Sequence, residues 1–322
     1  MRITGENMLI DLKNGQKFNS ITFIEKITKK TASNGKIYLD MVIKDKSAVM
    51  NGKMWSADQV DLNIFRPGVV ANISGRADEY NGKMQVIIEN MQWVETPTDE
   101  VIAALYATAP MDGGEMYDQI HAAATKIENA HLREIVCGIL ADNKERLLIF
   151  PGAKQMHHAY RGGLLYHTHT MLRHARAVIE IYPYLKKDLL YAAVILHDIG
   201  KLDEIGLDEY GIPLEYSKDG KLLGHIVQGI CMVDNKAREL QLDKSEAALA
   251  LKHCLLSHHY FSEYGSPKMP MIAEAEVLYY LDVMDARMFQ MEEALSAVED
   301  GEFTQRIYAL ENRSLYKFGE EK

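Results

Sequence analysis

Alternating hydrophobic and polar positions dominate the first 93 residues of the chain and predict β-strands. Two such stretches, Ser20–Lys29 and Lys36–Lys44, flank the dipeptide Asn34-Gly35, which favours a hairpin turn. A third stretch with strand character, Ala48–Trp55, follows a turn at Asp45-Lys46. The pattern therefore predicts a three-stranded meander at the start of the chain.

A short helix and a second hairpin are predicted to follow this meander. Ala57–Phe65 has helical character, and Arg66-Pro67-Gly68 ends it. Val69–Ala77 and Lys83–Trp93 then form two strands across the turn dipeptide Asn81-Gly82. Three strands, a helix and two strands is the order of an OB-fold, a small five-stranded barrel. We therefore predict an OB-fold domain over residues 1–94.

The face formed by strands 2 and 3 of an OB-fold commonly binds single-stranded nucleic acid. Such a face stacks bases on aromatic rings and contacts phosphates with cations. The available side chains are Phe23, Tyr38, Trp55 and Tyr80, with Lys29, Lys30, Lys36, Lys44 and Lys53. Tyr38 and Trp55 are the predicted substrate-binding residues. Two alternatives stay open, since barrel aromatics also form core and small barrels also serve as protein-docking modules.

Beyond the barrel the hydrophobic period changes to 3.6, which is typical of helices. Residues 95–115 contain two prolines and a Gly-Gly pair and are predicted to be a linker. The predicted helices are Met116–Asn129, Leu132–Ile149, Leu164–Tyr182, Leu189–His197, His225–Leu240, Ser245–Ser257 and Ile272–Val298. Glu204–Leu223 interrupts them, and Asp219-Gly220 indicates a small hairpin or lid. The predicted fold class is multidomain α and β, with an all-β barrel followed by an all-α domain over 116–322.

Composition places the chain among globular proteins of two domains. It has 322 residues, of which 47% are hydrophobic and 25% charged. No run of 18 apolar residues predicts a membrane span, and the N-terminal residues lack the apolar region of a secretory signal. The three scattered cysteines favour a reducing compartment, so the cytoplasm is the predicted location.

The net charge of −10 is unevenly distributed. Residues 1–93 carry 13 Lys and Arg against 10 Asp and Glu, whereas the remainder carries 23 against 36. This asymmetry predicts different partners for the two halves. Bound cations are one way to neutralise the acidic half.

Most histidines lie between positions 131 and 259, and several follow apolar helical stretches. His167, His197-Asp198, His225 and His258-His259 occur in that order, and Asp282 and Asp285 share one face of the last long helix. Imidazole nitrogens and carboxylate oxygens are ligands that borderline divalent metals favour. A lone histidine on an amphipathic helix is more often structural. We therefore assign no metal to five other histidines of the helical domain, His121, His131, His169, His174 and His253.

The ordered series resembles the HD superfamily of metal-dependent phosphohydrolases, in its two-metal form with paired histidines. Residues 151–290 are similar to the YhaM family of 3′-to-5′ exoribonucleases, through HHAYRGGLLYHTHTML, LHDIGK, GHIVQG, LLSHHYFSEYGSPKMP and EAEVLYYLDVMDARM. Those proteins also carry an N-terminal OB-fold, so the resemblance spans nearly the whole chain. One departure is Tyr260-Phe261, where a small or acidic residue is expected.

The resemblance implies a role for each site residue. The implied metal ligands are His167, His197, Asp198, His225, His258, His259 and Asp282, in a metal site spanning 157–285. Asp198 would bridge two ions, and Lys201 would contact the scissile phosphate as a second catalytic residue. Its alternative role is that of a cation at a helix C-terminus after Gly200. The substrate phosphate would be bound by His157, His158 and Arg161, unless these residues form only an interdomain joint. Asp285 would orient a metal ligand without binding the metal itself.

The implied activity is hydrolysis of single-stranded RNA, with single-stranded DNA as a further candidate substrate, one nucleotide at a time from the 3′ end by two divalent ions. The resemblance implies Mn²⁺, whereas the ligand types also allow Fe²⁺, Co²⁺ or Zn²⁺. Two alternatives are a phosphohydrolase of cyclic dinucleotides or nucleotides and a non-catalytic nucleic-acid-binding protein. The barrel argues against the first and the complete ligand set against the second. The sequence leaves the oligomeric state open, a homo-oligomer included.

Overall fold

The computed structural model describes residues 7–33, 35–55, 57, 60–154, 160–208 and 210–319. The chain divides into two compact units, Met1–Ala107 and Thr108–Lys322. The division falls inside the segment 95–115 that was predicted to be a linker. Within the described ranges, no helix is long and apolar enough to cross a membrane.

Five strands close into a barrel in the first unit. They are β1 (Lys17–Thr31), β2 (Ile37–Lys44), β3 (Val49–Met54), β4 (Val70–Tyr80) and β5 (Lys83–Trp93). Their order around the barrel is β1-β2-β3-β5-β4. All neighbours are antiparallel except β3 and β5, which are parallel. This confirms the predicted OB-fold.

The barrel core follows from the alternation seen in the sequence. Leu39, Met41 and Ile43 of β2 are buried, while their neighbours along the strand are half-buried. Asn81 and Gly82 both have positive φ, at 50° and 72°, as a two-residue hairpin turn of this type requires. The second predicted hairpin turn is therefore confirmed. Asn34 of the first one lies outside the described residues.

The helix predicted over Ala57–Phe65 is wrong, because the described residues there, 57 and 60–65, form turns. Asp61 Oδ1 accepts a hydrogen bond from the backbone N–H of Asn63 at 2.8 Å, which stabilises a turn in competition with a helix. A helix instead lies beyond the barrel strands, α1 (Asp99–Leu105). The Thr98 hydroxyl caps its N-terminus by accepting from the N–H of Val101.

Helices make up most of the second unit. They are α2 (Gly113–Thr125), α3 (Ala130–Asp142), α4 (Lys144–Ile149), α5 (Gly163–Ile181), α6 (Lys187–Leu196), α7 (Lys201–Glu204), α8 (Lys218–Glu239), α9 (Glu246–Ser257) and α10 (Ala273–Ser296). Their apolar faces meet in one core, in which Val136, Leu190 and Leu278 are fully buried. Past α10 the described residues, up to 319, include isolated bridges, such as Phe303 with Tyr316, and a short 3-10 helix, Tyr308–Leu310.

Two helical predictions need correction. The single helix predicted over Leu132–Ile149 is divided at Asn143, where the backbone leaves helical geometry. The Asn143 side chain donates a hydrogen bond to the carbonyl of Ile139 at 2.9 Å. Asp219-Gly220 lies in the first turn of α8 rather than in a hairpin, because the Ser217 hydroxyl accepts from the N–H of Gly220 and starts the helix there.

A small hairpin does occupy the predicted break, formed by β6 (Ile205–Leu207) and β7 (Pro213–Tyr216). The long helix α8 is kinked at Gly224, which has φ 72° and ψ 163°. Its second segment begins at His225, where the sequence predicted a helix to start. The kink thus places the His225 side chain at the N-terminus of a new helical segment.

Candidate metal centre

Residues from five helices converge at the end of the helical core. His167 lies in the first turns of α5, and His197 and Asp198 directly follow the buried segment of α6. His225 begins the second segment of α8, and His258 and His259 follow α9. Asp282 and Asp285 lie one turn apart in α10. All seven residues implied as ligands are therefore found at one place.

The ligand atoms fall into two groups. His225, His258 and His259 form one triad, and His167, His197 and Asp282 form the other. Within each triad the candidate atoms all lie within 4.8 Å of one another. Three nitrogen or oxygen donors at such distances suit one divalent ion with open coordination positions. We refer to these groups as the His225 triad and the His167 triad.

The carboxylate of Asp198 lies between the two triads. Its Oδ1 is 3.6 Å from His225 Nε2 and 3.9 Å from His258 Nε2. Its Oδ2 is 3.3 Å from His197 Nε2 and 3.9 Å from His167 Nε2. Each oxygen of one carboxylate thus faces a different triad, which is the arrangement that a bridging ligand needs.

Every histidine of the two triads is oriented through its Nδ1 atom. His197 donates to the carbonyl of Val194 at 2.9 Å and His258 to that of Leu255 at 2.8 Å, each one turn back along its own helix.

The three remaining imidazoles use more distant partners. His259 Nδ1 is 2.6 Å from the carbonyl oxygen of Tyr264. His167 Nδ1 is 2.6 Å from Asp285 Oδ2, and His225 Nδ1 is 3.2 Å from Glu204 Oε2. Metal-binding histidines characteristically hold one ring nitrogen in this way, which directs the other nitrogen toward the ion.

Several buried atoms at the centre lack hydrogen-bond partners, and this tests whether metal ions fit. Among the described residues, no partner reaches Asp198 Oδ1, His225 Nε2 or His258 Nε2. Unsatisfied buried polar atoms are costly, and the two imidazole nitrogens lie 3.6 and 3.9 Å from Asp198 Oδ1 at the His225 triad. A divalent cation held there would satisfy these atoms, so the donor set of the His225 triad fits such an ion.

The surroundings of Asp198 and His258 shift their pKa values toward the protonation states that bind metals. Burial raises the pKa of Asp198, but the nearby Lys201 and His197 outweigh burial and hold this pKa well below its ordinary value. Burial, together with the neighbouring His259 and His197, lowers the pKa of His258 well below its ordinary value. An ionised carboxylate and a neutral imidazole are the forms that bind metals.

His167 behaves in the opposite way in the metal-free chain. Burial alone would lower its pKa, but hydrogen bonds to Asp282 and Asp285 raise it to about 9. His167 Nε2 lies 3.3 Å from Asp282 Oδ1 and 3.2 Å from His197 Nε2, and these three residues would hold an ion at this triad. Metal binding at this triad must therefore release a proton near neutral pH.

Lys201 contacts the centre directly. Its ammonium donates to Asp198 Oδ2 at 2.6 Å and to the carbonyl of Gly152 at 2.7 Å. Lys201 is the first residue of α7, but this helix has only four residues, so Lys201 also belongs to its last turn and the alternative role at a helix C-terminus stays a prediction. Gly200 lies in a turn, but its φ of −65° does not require glycine. A Cβ atom there would lie 2.0 Å from the carbonyl oxygen of His225. The glycine permits close packing of α7 against α8.

The predicted phosphate-binding residues are only partly described. His157 and His158 lie outside the described residues. Arg161 is half-buried, and its carbonyl accepts a hydrogen bond from the N–H of Ala109 at 2.9 Å. Its contact with a substrate phosphate stays a prediction.

Three of the histidines excluded as ligands have structural contacts elsewhere. His169 Nε2 is 2.9 Å from Gln119 Oε1, and His253 Nε2 accepts from the backbone N–H of Met271. His121 stacks on Tyr117 with ring centroids 5.9 Å apart. None of the excluded histidines occurs in either triad.

Tyr38 and Trp55 lie together on the barrel. Their ring centroids are 4.9 Å apart, and 47% of the Trp55 side chain is exposed. Lys53 Nζ lies 5.9 Å from the Trp55 ring and 5.4 Å from the Tyr80 ring. Flat rings beside a cation on strands β2 to β4 form a surface of the kind that binds single-stranded nucleic acid.

Glu204 is a site residue that sequence reasoning missed. It accepts hydrogen bonds from both the backbone N–H and Nδ1 of His225, at 3.1 and 3.3 Å. Burial raises the pKa of Glu204, but its bonds to His225 outweigh burial and lower it. No local signal marks Glu204, since 21 residues separate it from its partner.

Comparison with known proteins agrees with this geometry. Residues 164–287 match the HD domain family. The chain is 38% identical over 303 residues to the 3′-5′ exoribonuclease YhaM of Bacillus subtilis, covering 94% of this chain and 95% of that protein. It is 37% identical to the protein of the same name from Listeria welshimeri, covering 97% and 98%.

A solved structure also resembles the first unit. The second OB-fold domain of replication protein A from Methanococcus maripaludis matches 29% of this chain and 98% of its own, with 12% identity and a TM-score of 0.23. The barrel assignment rests on strand order and closure instead. From the full-length sequence similarity and the HD domain, the chain belongs to the YhaM family.

Proposed function

We propose that this chain is a metal-dependent 3′-to-5′ exoribonuclease that hydrolyses single-stranded RNA. The observation that carries the proposal is the position of Asp198, whose two oxygens face the His225 triad and the His167 triad. The family relationship supports the polarity of the reaction, because the similar proteins are 3′-5′ exoribonucleases. Mn²⁺ is the metal proposed, with Fe²⁺, Co²⁺ and Zn²⁺ as the alternatives that the ligands also suit.

The residues of the two triads and Asp198 would hold the ions. When bound, two such ions supply a nucleophile at neutral pH and stabilise charge on the reacting phosphate. Asp285 and Glu204 keep His167 and His225 correctly oriented. Lys201 places a fixed positive charge beside Asp198, where it can stabilise an oxygen that gains charge as the phosphodiester breaks.

The barrel would bind the single-stranded RNA substrate. Tyr38 and Trp55 offer stacking surfaces and Lys53 a phosphate contact. Single-stranded DNA is a second substrate of the same chemistry. The free cysteines agree with the cytoplasm as the proposed compartment, and assembly into a homo-oligomer stays a prediction.

The test is a digest of RNA labelled at its 5′ end, with each divalent metal in turn. We expect a ladder of labelled products that shortens by single nucleotides from the 3′ end. Circular RNA of the same sequence should resist, because it has no end. Single-stranded DNA and a cyclic dinucleotide complete the substrate set.

The Asp198→Asn variant is the matched control for contaminating nucleases. Internal cuts in circular RNA would contradict exonucleolytic action. Hydrolysis of the cyclic dinucleotide without shortening of linear RNA would favour the alternative phosphohydrolase. RNA binding without any hydrolysis would favour a binding protein.

A further inference from the structure

Five aromatic side chains form a connected cluster in the second unit. Its members are Tyr260, Phe261, Tyr264, Tyr279 and Tyr280, which we call the aromatic cluster. The ring of Tyr260 lies 4.8 Å from that of Phe261 and 4.8 Å from that of Tyr279, between centroids. Tyr279 also contacts Tyr280 at 5.2 Å. The cluster includes the Tyr260-Phe261 pair that departs from the expected family pattern.

The aromatic cluster borders the metal centre along two chain segments. Tyr260 directly follows the paired ligands, and Tyr264 supplies the carbonyl that is 2.6 Å from His259 Nδ1. On the other segment, Tyr279 precedes Asp282 by three residues in α10, so the two side chains share a face of this helix. Both segments thus carry a metal ligand and aromatic rings together.

The backbone conformation of Tyr260 and the solvent exposure of its neighbours indicate that the aromatic cluster has a role beyond core packing. Tyr260 has φ 65°, a region that non-glycine residues rarely adopt, and such residues concentrate at functional sites. Tyr260 and Tyr279 are half-buried, whereas Phe261 and Tyr264 are 41% and 66% exposed. Exposed aromatic rings grouped beside a polar site are characteristic of ligand-binding surfaces.

We infer that the aromatic cluster stacks the base of the 3′-terminal nucleotide while the adjacent phosphodiester lies at the metal centre. This inference rests on the proposed function. A nucleobase is flat and apolar on its faces, and aromatic side chains bind any base through those faces. Stacking at this place would position the terminal phosphodiester without selecting a sequence, as an enzyme that removes successive nucleotides requires. Phe261 and Tyr264 are the exposed rings available for this contact.

The experiment compares Phe261→Ala with the unaltered protein on two RNA substrates that differ only at the 3′-terminal nucleotide. One substrate carries a normal base there and the other is abasic. Loss of one stacking partner corresponds to an increase in KM of about 5- to 140-fold for the normal substrate. We expect little change in kcat, and no effect of the substitution on the abasic substrate. Phe261→Trp, which keeps a flat ring, should restore the KM for the normal substrate.

Structural damage has a different signature. Because the 260–265 segment also orients His259, collapse of this segment would lower kcat on both substrates equally and would overturn the inference. Equal KM values for Phe261→Ala and the unaltered protein on the normal substrate would also overturn it, while leaving the proposed function intact. Failure of the unaltered protein to shorten either substrate would instead reject the proposed function, and the inference with it.

Discussion

The ammonium of Lys201 donates to Asp198 Oδ2 at 2.6 Å, on the carboxylate whose two oxygens face different ligand triads. Both side chains are nearly inaccessible to solvent, with 12% and 4% exposed. The lysine therefore compensates a buried charge in the metal-free chain and lies beside the carboxylate that is proposed to hold both ions.

Lys201→Ala should separate these two roles. At saturating metal we expect kcat to fall by about 10²–10³, because one fixed charge at the reacting phosphate is lost. Without metal, the substitution leaves a buried carboxylate uncompensated and should cost about 3–5 kcal/mol in the free energy of unfolding. Rates and thermal unfolding, with and without metal, measure both.

The matched control is Lys187→Ala, which removes an exposed lysine paired with Glu128 and should change neither quantity appreciably. Normal kcat in Lys201→Ala at saturating metal would contradict a catalytic contact and leave only a structural role.

Asp285→Asn and Glu204→Gln should each weaken metal binding by about 10- to 100-fold while leaving every ligand in place. Each carboxylate lies behind one triad, Asp285 2.6 Å from His167 Nδ1 and Glu204 3.2 Å from His225 Nδ1. Isothermal titration of each variant with Mn²⁺ measures the effect. Unchanged affinity in both variants would show that backbone packing alone orients the two rings.

Stability of the metal-free chain should depend on pH through His258 and His167 in opposite directions. The pKa of His258 is lowered well below 6.5, so the unfolded chain binds the extra proton first, and stability falls as pH drops below about 6.5. The pKa of His167 is raised to about 9, so its contribution is complete below about 6.5 and is lost as pH rises through 9.

Chemical unfolding in EDTA from pH 5 to 10 measures both effects. His258→Asn should flatten the acid side, and His167→Asn the alkaline side. A metal-free chain whose stability rises steadily from pH 6.5 to 9.5 would contradict the assignment for His167.

Trp55→Ala should raise the KM for long RNA more than the KM for a dinucleotide, because a long strand offers the barrel many more bases and phosphates to bind. Val49→Ala, at the other end of β3 and also exposed, is the matched control. Equal changes for both substrates would instead make the barrel a structural or assembly module.

The sequence predicted what depends on local pattern. The five strands, the helix beginning at His225 and the histidine and aspartate series all follow from periodicity, turn dipeptides and order along the chain. The break at Asn143 and the turn at Asp61 were not predicted, because in both places a side chain competes with the backbone for hydrogen bonds, which hydrophobic periodicity does not report.

Other features depend on contacts between distant segments. Glu204 acquires its role from a partner 21 residues away, and Gly200 is required by the approach of the His225 carbonyl. Neither contact has a signature within its own stretch of sequence. The orienting hydrogen bonds of the histidines, which make the site recognisable as a metal centre, are likewise visible only in three dimensions.

The most direct test of the account is the metal content and turnover of Asp198→Asn. Asparagine keeps the shape of the side chain but removes the charge that lies between the two triads. By elemental analysis, we predict two ions per chain in the unaltered protein and the loss of at least one in the variant. We also predict a fall in kcat of at least about 10² on single-stranded RNA. Two ions per chain and near-normal turnover in Asp198→Asn would contradict the account.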